Sequence, residues 1–452
     1  MSSTLADIAL PVPINRLFTY RIPPEFASLI SPGKRALVPF GSKVLTGIVV
    51  GFPTSTTVKT LKSIKDVPDD VPTFSDELLQ VTRWISEYYG VPWGEVLKAA
   101  TPQGFAFESR RRVSLLVSFD KAQAELKRAP KQLKIIHALS DGPHTVSALQ
   151  KSLKSRGIHS ELRELERRGW VTIEEQIPEP KARPRFETVA HLVPDYQAVL
   201  KTLSRQLSEK QAKVLEALEK AEGEARTTDL LNRTGAALST LKTLGVKGLL
   251  ELRQREVLRR DEIDEPGPAN HVHLNAAQRS ALETVLNGVK AGKYGAFLLH
   301  GVTGSGKTEV YIEAIRDILS RGKTAIVLVP EISLTPQTVR RFRVHFGDRV
   351  AVMHSQMSIG ERFDAWRLAR DGKVSIVIGP RSAIFAPLAN PGLLVVDEEH
   401  EASYKQFDAV PRYNARDVAV YRASLANAVV ILGSATPSVE SYYNAESGKY
   451  TL

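Results

Sequence analysis

The chain has 452 residues, of which 42% are hydrophobic, and this length suits about three or four domains at roughly 100 to 200 residues each. Its formal net charge of +11 favours a polyanionic partner, and the absence of cysteine excludes disulfides and cysteine-ligated zinc within these residues. Because the sequence has no apolar stretch of membrane-spanning length and no basic-then-apolar leader, we expect no membrane contact and a cytoplasmic location.

Residues 1–105 begin with short alternating strands, separated by turn residues such as Pro32-Gly33 and Pro39-Phe40-Gly41. Ser75 then has the character of an N-cap, and the apolar residues that follow it recur at helical spacing as far as about Tyr89. We therefore predict a small β-rich domain that carries a helix near its end.

Residues 106–180 show the pattern of three helices followed by a wing, which is typical of a winged helix. The third helix, from Ser160 to Arg168, ends at Gly169 before the strand-like run Trp170–Ile173. Its arginines either contact phosphates or form a charged face in solvent; they are Arg163, Arg167 and Arg168.

A similar pattern recurs in residues 205–260. Lys210-Gln211 and Ala217-Leu218 there repeat Lys131-Gln132 and Ala138-Leu139 at the same spacing. The sequence therefore predicts two tandem winged-helix units.

Residues 270–452 alternate apolar runs with helical stretches, as a parallel doubly wound sheet requires. Gly301–Thr308 matches the phosphate-binding pattern G-x-x-x-x-G-K-[ST], between the apolar run Ala296–His300 and a predicted helix. These neighbours disfavour a chance Gly-rich turn. We expect Lys307 to reach the outer phosphates and Thr308 to ligate Mg²⁺. The loop residues expected to contact ATP are Gly301, Val302, Thr303, Gly304, Ser305, Gly306, Lys307 and Thr308.

A second motif follows the continuous apolar run Gly392–Val396, which ends in Asp397-Glu398-Glu399-His400. Ligands of open α/β sheets bind at the carboxyl ends of the strands. We therefore expect Asp397 to hold Mg²⁺ and Glu398 to orient or deprotonate the attacking water, with Lys307 as the third catalytic residue. The alternative, a solvated acidic loop, is disfavoured by the phosphate-binding loop upstream.

Aromatic and basic residues interleave between the acidic motif and Gly433. Bases of single strands stack on such rings while Lys and Arg neutralise phosphates, so we expect DNA contacts there. The candidates are Tyr404, Lys405, Phe407 and Tyr413. Tyr413 alternatively packs on the lobe. Arg381, in Gly379-Pro380-Arg381-Ser382, is a further candidate phosphate contact.

The motifs of this region resemble those of superfamily 2 helicases, in the same order; they are Leu274–Gln278, Gly301–Glu309, Pro330–Gln337, Asp397–His400 and Gly433–Ser438. Within that class, their wording and Ser403–Gln406 are similar to the PriA family of bacterial replication-restart helicases. The start of the chain is also similar to that family; the matching segments are Ala9–Pro13, Phe18-Thr19-Tyr20 and Val38–Gly41. The middle of the chain matches only loosely.

The resemblance implies an α/β multidomain protein with one RecA-like lobe in residues 270–452. Gln278 stands where the class reads adenine. The family's N-terminal domain binds the 3′ end of a nascent strand, which assigns Phe18, Tyr20 and Lys62 to DNA; alternatively, the two rings only fill the barrel core. Thr19 departs from some relatives, which carry an acidic residue suited to the terminal hydroxyl.

The resemblance further implies ATP and Mg²⁺ as cofactors and a location in the bacterial cytoplasm, at the nucleoid. The implied partners are replication forks, single-stranded DNA, primosome proteins and single-strand-binding proteins. The second lobe and a cysteine-rich zinc module lie further along the family's chains than residue 452. We therefore expect an N-terminal fragment that binds nucleotide weakly, hydrolyses ATP feebly and does not unwind DNA by itself.

Three functions stay open. The first is an ATP-driven 3′ to 5′ DNA helicase that restarts replication and initiates primosome assembly. The second is a repair or fork-reversal translocase of another branch, against which the N-terminal motifs argue. The third is a fork-binding and partner-recruiting module without motor activity, which the intact residues Lys307, Thr308, Asp397 and Glu398 oppose.

Overall fold

The computed structural model describes residues 4–41, 43–101, 110–126, 129–153, 158–176, 185–202, 207–257 and 273–452. The chain divides into two units, of which the first joins Met1–Ala182 to Ile263–Leu452 and the second is Arg183–Glu262. The domain boundaries that the sequence predicts all fall outside the described residues; they lie at 105, 180, 205, 260 and 270.

The N-terminal domain is built on an antiparallel sheet with the strand order β2-β1-β4-β3. Gly47 lies where a Cβ would come within 2.4 Å of Ile8, so the sheet can close over its core only with glycine there. A helix pair follows, and the first helix begins after Ser75, whose Oγ accepts a hydrogen bond from Leu78 N. The elements are β1 (Leu5–Ala9), β2 (Phe18–Arg21), β3 (Arg35–Phe40), β4 (Lys43–Gly51), α1 (Asp76–Tyr89) and α2 (Trp93–Ala100).

The middle segment of the first unit packs its helices on a small sheet with the order β6-β5-β7. Its core contains Val113, Ile136, Leu149 and Leu165. The elements are β5 (Arg110–Leu115), α3 (Phe119–Glu125), α4 (Pro130–Leu139), β6 (His144–Thr145), α5 (Val146–Ser152), α6 (His159–Arg167) and β7 (Val171–Gln176).

The second unit repeats this sequence of elements around its own core and has a sheet of the order β10-β8-β9. In both segments the strand that comes first in the chain lies between the other two strands. This shared topology agrees with the internal repeat seen in the sequence. The elements are β8 (Arg185–Leu192), α7 (Tyr196–Thr202), α8 (Glu209–Lys220), β9 (Glu224–Arg226), α9 (Thr227–Thr234), α10 (Leu238–Val246) and β10 (Leu250–Val257).

Residues 273–452 form a lobe around a six-stranded sheet in the order β11-β16-β15-β12-β14-β13. Every pairing in this sheet is parallel, as the sequence predicts. The elements are α11 (Ala276–Lys290), β11 (Gly295–His300), α12 (Lys307–Ser320), β12 (Thr324–Leu328), α13 (Pro336–Phe346), β13 (Val350–Val352), α14 (Ile359–Arg370), β14 (Ile376–Gly379), β15 (Pro391–Asp397), α15 (Ala415–Leu425), β16 (Val429–Ser434) and α16 (Val439–Glu446).

The sheet of the lobe is covered on both faces. Leu394 and Val396 of β15 belong to one core with α14 and α15, whereas Leu393 and Val395 belong to a second core with α12 and α13. A strand buried on both faces reads as a continuous apolar run, which explains why these strands were visible in the sequence. The phosphate-binding loop and the acidic motif both follow the carboxyl ends of such strands.

Helix α1 of the N-terminal domain packs against α15 of the lobe. Arg422 has no exposed surface, and its guanidinium donates to Glu77 Oε1 at 2.8 Å and to the carbonyl oxygen of Ile384. Trp84 stacks on Tyr421 with ring centroids 4.3 Å apart. The N-terminal domain and the lobe therefore share part of one hydrophobic core.

Glu77→Ala should destabilise the protein by about 3 kcal/mol, because it leaves the buried guanidinium of Arg422 without its carboxylate. A matched control is Glu87→Ala on the same helix, since the pair Glu87–Arg83 is 65% and 64% exposed and should contribute less than about 1 kcal/mol. Urea unfolding of both variants measures the difference. Equal costs for the two substitutions would show that the Glu77–Arg422 pair does not hold the domain on the lobe.

Candidate nucleotide-binding site

The phosphate-binding loop connects β11 to α12, and Gly301 N donates to Ser434 O of the neighbouring strand at 3.0 Å. Gly304 and Gly306 have φ values of +78° and +79°, in the left-handed region that favours glycine. Lys307, the first residue of α12, donates to Gly301 O at 2.7 Å and lies 3.9 Å from Glu398 Oε1. The lysine ammonium therefore lies between the loop and the acidic motif, and its contact with the outer phosphates stays a prediction.

Asp397 is the last residue of β15 and receives hydrogen bonds from two buried tyrosines. Tyr311 of α12 donates to Asp397 Oδ1 at 3.0 Å, and Tyr404 donates to the Asp397 carbonyl oxygen at 2.6 Å. Burial raises the pKa of Asp397, and the hydrogen bond from Tyr311 opposes that rise. No sequence motif contains Tyr311, although this residue lies one helical turn after Lys307 and hence on the same face of α12.

Glu398 adopts a φ of +47°, a conformation that costs a residue with a side chain about 1 to 2 kcal/mol. Such strain persists where the surroundings enforce it, often at functional sites. Glu398 lies beside Lys307, and its Oε2 is 3.7 Å from His400 Nδ1. The side chain of Glu398 is 30% exposed, so it remains accessible to a water molecule.

Thr308 and Asp397 line one cavity of about 590 Å³. Mg²⁺ prefers oxygen ligands and commonly uses one or two protein groups together with waters and substrate phosphates. A hydroxyl and a carboxylate beside the phosphate-binding loop fit that ion. The described residues contain no cluster of three or more His, Asp or Glu side chains that would hold a metal without a substrate.

Gln278, the predicted adenine contact, is hydrogen-bonded to the phosphate-binding loop. Its Nε2 donates to Ser305 O at 2.8 Å, and its Oε1 accepts from Asn275 N at 2.8 Å. The second bond belongs to the capping box that begins α11. Gln278 thus supports the loop and caps a helix, and its role in reading adenine stays a prediction.

Glu399 is 2% exposed and joins the acidic motif to α16. It accepts hydrogen bonds from Ser438 N at 2.6 Å, from Ser441 Oγ at 2.8 Å and from Arg416 Nη1 at 3.2 Å. A second hydrogen bond joins the acidic motif to the end of β16, because His400 Nδ1 and Ser434 Oγ lie 2.7 Å apart. This network has no motif in the sequence, because its members lie far apart in the chain.

Two of the predicted strand contacts of the lobe, Arg381 and Tyr413, line a cavity of about 350 Å³. Gln406 and Thr101, the residue that follows α2, line it as well. Tyr413 is 2% exposed and packs edge-on against Phe385 at 5.3 Å, which agrees with the packing alternative. Arg381 is partly exposed and lies 3.5 Å from Asp408.

Among the aromatic and basic candidates, Phe407 is exposed and available for stacking. Lys405 lies over the ring of Tyr89, 5.0 Å from its centroid. Tyr404 is 1% exposed, so its ring belongs to the core and its hydroxyl to Asp397. The structure therefore separates this group into surface residues and residues that connect the segment to the acidic motif.

The N-terminal candidates are also divided between core and surface. Tyr20 is buried and donates to Pro39 O at 3.2 Å. Phe18 is half-buried, packs against Phe40 at 5.2 Å and lies 4.9 Å from the guanidinium of Arg16. Lys62 is exposed, and its carbonyl oxygen accepts from Arg21 N at 2.9 Å. Thr19, on the other face of β2, donates to Asp7 Oδ1 at 2.6 Å.

A phosphate-binding loop and a strand-end acidic motif on one parallel sheet define a nucleotide-binding domain of the phosphate-binding-loop class. Residues 275–445 match the DEAD/DEAH box helicase family, and residues 7–102 match the 3′ DNA-binding domain of PriA. These matches confirm the prediction that a 3′ DNA-binding domain comes first in the chain and a RecA-like helicase lobe follows it. Among the described residues, no helix is both long and apolar enough to cross a membrane.

The chain is homologous to PriA proteins along nearly its whole length. It is 38% identical to the replication restart protein PriA of Synechocystis sp. over 97% of this chain and 52% of that protein. It is 36% identical to the PriA of Bacillus subtilis over 97% of this chain and 54% of that protein. The chain thus spans about half the length of these relatives. RecG bound to a three-way DNA junction is 27% identical over 40% of this chain and 23% of RecG, with a TM-score of 0.31.

Glu399→Gln should destabilise the lobe by about 1 to 3 kcal/mol, because the new amide N–H group faces donors and leaves buried polar groups unsatisfied. Glu446→Gln, at the exposed end of α16, is the control and should change stability by less than about 0.5 kcal/mol. Thermal unfolding followed by circular dichroism measures both changes. An unchanged melting temperature for Glu399→Gln would contradict the assigned role of the network.

Proposed function

We propose that this chain is the strand-recognising and ATP-binding part of a DNA helicase that moves 3′ to 5′ and restarts replication at stalled forks. The observation that carries this proposal is the convergence of Lys307, Asp397 and Glu398 at one sheet edge, in a lobe that shares a core with the 3′ DNA-binding domain. Neither part alone would support it, because nucleotide sites and DNA-binding domains each occur in many other proteins.

The proposed ATP hydrolysis would use the chain's own groups as follows. The backbone N–H groups of the loop and of the first turn of α12 would donate hydrogen bonds to the phosphates, and Lys307 would compensate their negative charge. Thr308 and Asp397 would hold Mg²⁺, which would stabilise charge that develops on the phosphate oxygens. Glu398 orients a water and accepts its proton as the water oxygen attacks the terminal phosphorus, and the bond to the bridging oxygen breaks to release ADP and phosphate.

Strand binding is proposed for the surface beside the cavity of about 350 Å³. Arg381 and Lys405 would neutralise phosphates there, while Phe407 offers an exposed ring on which a base can stack. Tyr404 is adjacent to Lys405, and its hydroxyl donates to the carbonyl oxygen of Asp397. If DNA displaced this segment, the position of the acidic motif would therefore change as well. We further propose that both segments of repeated topology are winged helices that bind the duplex arms of a fork.

The relatives are named for replication restart, and the proposed partners follow from that name. They are forked DNA, single-stranded DNA, primosome proteins and single-strand-binding proteins, in a bacterial cytoplasm at the nucleoid. The net charge of +11 supports a polyanionic partner. Affinity for DNA should accordingly fall as salt rises, because neutralised phosphates release counterions.

Lys307→Ala should weaken nucleotide binding by about tenfold or more, because hydrogen bonds to charged groups contribute roughly 1.5 to 3 kcal/mol. Glu398→Gln should bind nucleotide like the wild-type chain, since its proposed role is in the chemical step. Fluorescence titration with labelled ADP and Mg²⁺ measures both affinities. Lys290→Ala, at an exposed position on α11, is the control for a lost surface charge. The nucleotide site would be misassigned if Lys307→Ala bound as tightly as this control.

Phe18→Ala should weaken binding to a fork that bears a 3′ end by roughly 5- to 150-fold, because one base stacked on a ring contributes about 1 to 3 kcal/mol. Binding to a fork without that end should scarcely change. A purely structural Phe18 would behave differently, since truncation of a core aromatic costs about 3 to 5 kcal/mol of stability. Fluorescence anisotropy on both forks, with a melting curve of the same variant, separates the two roles. Unchanged relative affinity with early melting would show that the ring only fills the core.

A further inference from the structure

We infer that Tyr311 is a positioning residue for the cation of the proposed nucleotide site, because its hydroxyl fixes the orientation of the Asp397 carboxylate. This inference rests on the proposed nucleotide-binding function. Tyr311 is fully buried, and its Oη lies 3.0 Å from Asp397 Oδ1. Neither the phosphate-binding pattern nor the acidic motif contains this residue, so its role comes from the structure alone.

The place of Tyr311 in α12 connects the two halves of the site. Lys307 and Thr308 begin this helix, and Tyr311 follows Lys307 by one helical turn. The same rigid helix therefore presents the ammonium for the phosphates, the hydroxyl proposed for the cation and the phenol that holds Asp397. Their relative positions are set by helix geometry, and no flexible loop lies between them.

The neighbouring strand is adapted to the phenol. Gly433 of β16 is paired with Asp397 in the sheet, and a Cβ at Gly433 would lie 1.7 Å from Tyr311 Oη. No rotamer change at residue 433 would relieve that clash, because the Cβ position is fixed by the backbone. Glycine at this position thus leaves the space through which the hydroxyl reaches the carboxylate.

A carboxylate with one oxygen held by a hydrogen bond loses rotational freedom before the cation binds. Groups that orient a metal ligand in this way typically contribute about 10- to 100-fold to metal affinity. Tyr311 therefore should affect the magnesium requirement of nucleotide binding and leave nucleotide affinity without magnesium unchanged. A residue that only fills the core would not distinguish the two conditions.

The test is a titration of Mg²⁺ into the full chain with a fixed concentration of fluorescently labelled ADP, for wild type and Tyr311→Phe, with a parallel measurement in EDTA. Complex formation between ADP and Mg²⁺ in solution is the same for both proteins and cancels in the comparison. We expect the half-saturating Mg²⁺ concentration to rise about tenfold or more for Tyr311→Phe, with equal ADP affinity in EDTA.

Tyr404→Phe is the matched comparison, because it also removes a buried hydroxyl that donates a hydrogen bond to Asp397. That bond goes to the main-chain carbonyl oxygen, which does not orient the carboxylate. Its shift in the half-saturating Mg²⁺ concentration should be clearly smaller. An equal shift for both variants, or wild-type magnesium dependence in Tyr311→Phe, would overturn the inference and leave the nucleotide site intact. Failure of the wild-type chain to bind ADP with or without Mg²⁺ would instead overturn the proposed function on which the inference rests.

Discussion

The carboxylates of Asp397, which ends strand β15, and Glu399, two residues later, must be hydrogen-bonded because the first is partly buried and the second is 2% exposed. A buried polar group without a partner costs about 1 to 3 kcal/mol, and a charged one costs more. Their donors come from three helices around the sheet edge: Tyr311 from α12, Arg416 from α15 and Ser441 from α16. The need to satisfy these two groups therefore fixes the elements of the site relative to one another.

The same principle joins the N-terminal domain to the lobe. Arg422 has no exposed surface, and its donors are used by Glu77 of α1 and by the Ile384 carbonyl. Ile384 lies in the short helix that begins with Arg381, and Asn414 N, beside the aromatic segment, donates to Tyr89 Oη at 3.1 Å. Helix α1 thus contacts both segments proposed to bind the strand. Movement of the N-terminal domain cannot leave these segments unaffected without breaking the Glu77–Arg422 pair.

The sequence predicted the parts of the molecule whose signals are local. The strands of the lobe are continuous apolar runs, and the phosphate-binding loop needs glycine at fixed positions, so both are visible without a structure. The division between buried and exposed aromatic residues was not predictable, since Tyr404, Phe407 and Tyr413 stand in one segment with similar neighbours. Only tertiary contacts place Tyr404 and Tyr413 inside and Phe407 outside. Glu399 was missed as a network residue because its donors follow it by 17 to 42 residues. Tyr311 carried a usable signal, its helical spacing from Lys307.

The choice of a tyrosine beside Asp397 has a physical reason. Burial raises the pKa of Tyr311 well above its usual value, so its hydroxyl remains a neutral donor at physiological pH. A neutral donor holds the carboxylate in place and leaves its negative charge to attract a cation. An arginine or lysine at the same position would bind the carboxylate more strongly, but it would cancel that charge and repel Mg²⁺. The cation that phosphates require is instead Lys307, which donates to the carbonyl oxygen of Gly301 and lies 3.9 Å from Glu398 Oε1. The site therefore separates two tasks, orientation of the metal ligand by a phenol and compensation of phosphate charge by an ammonium, which a single cationic residue could not perform together.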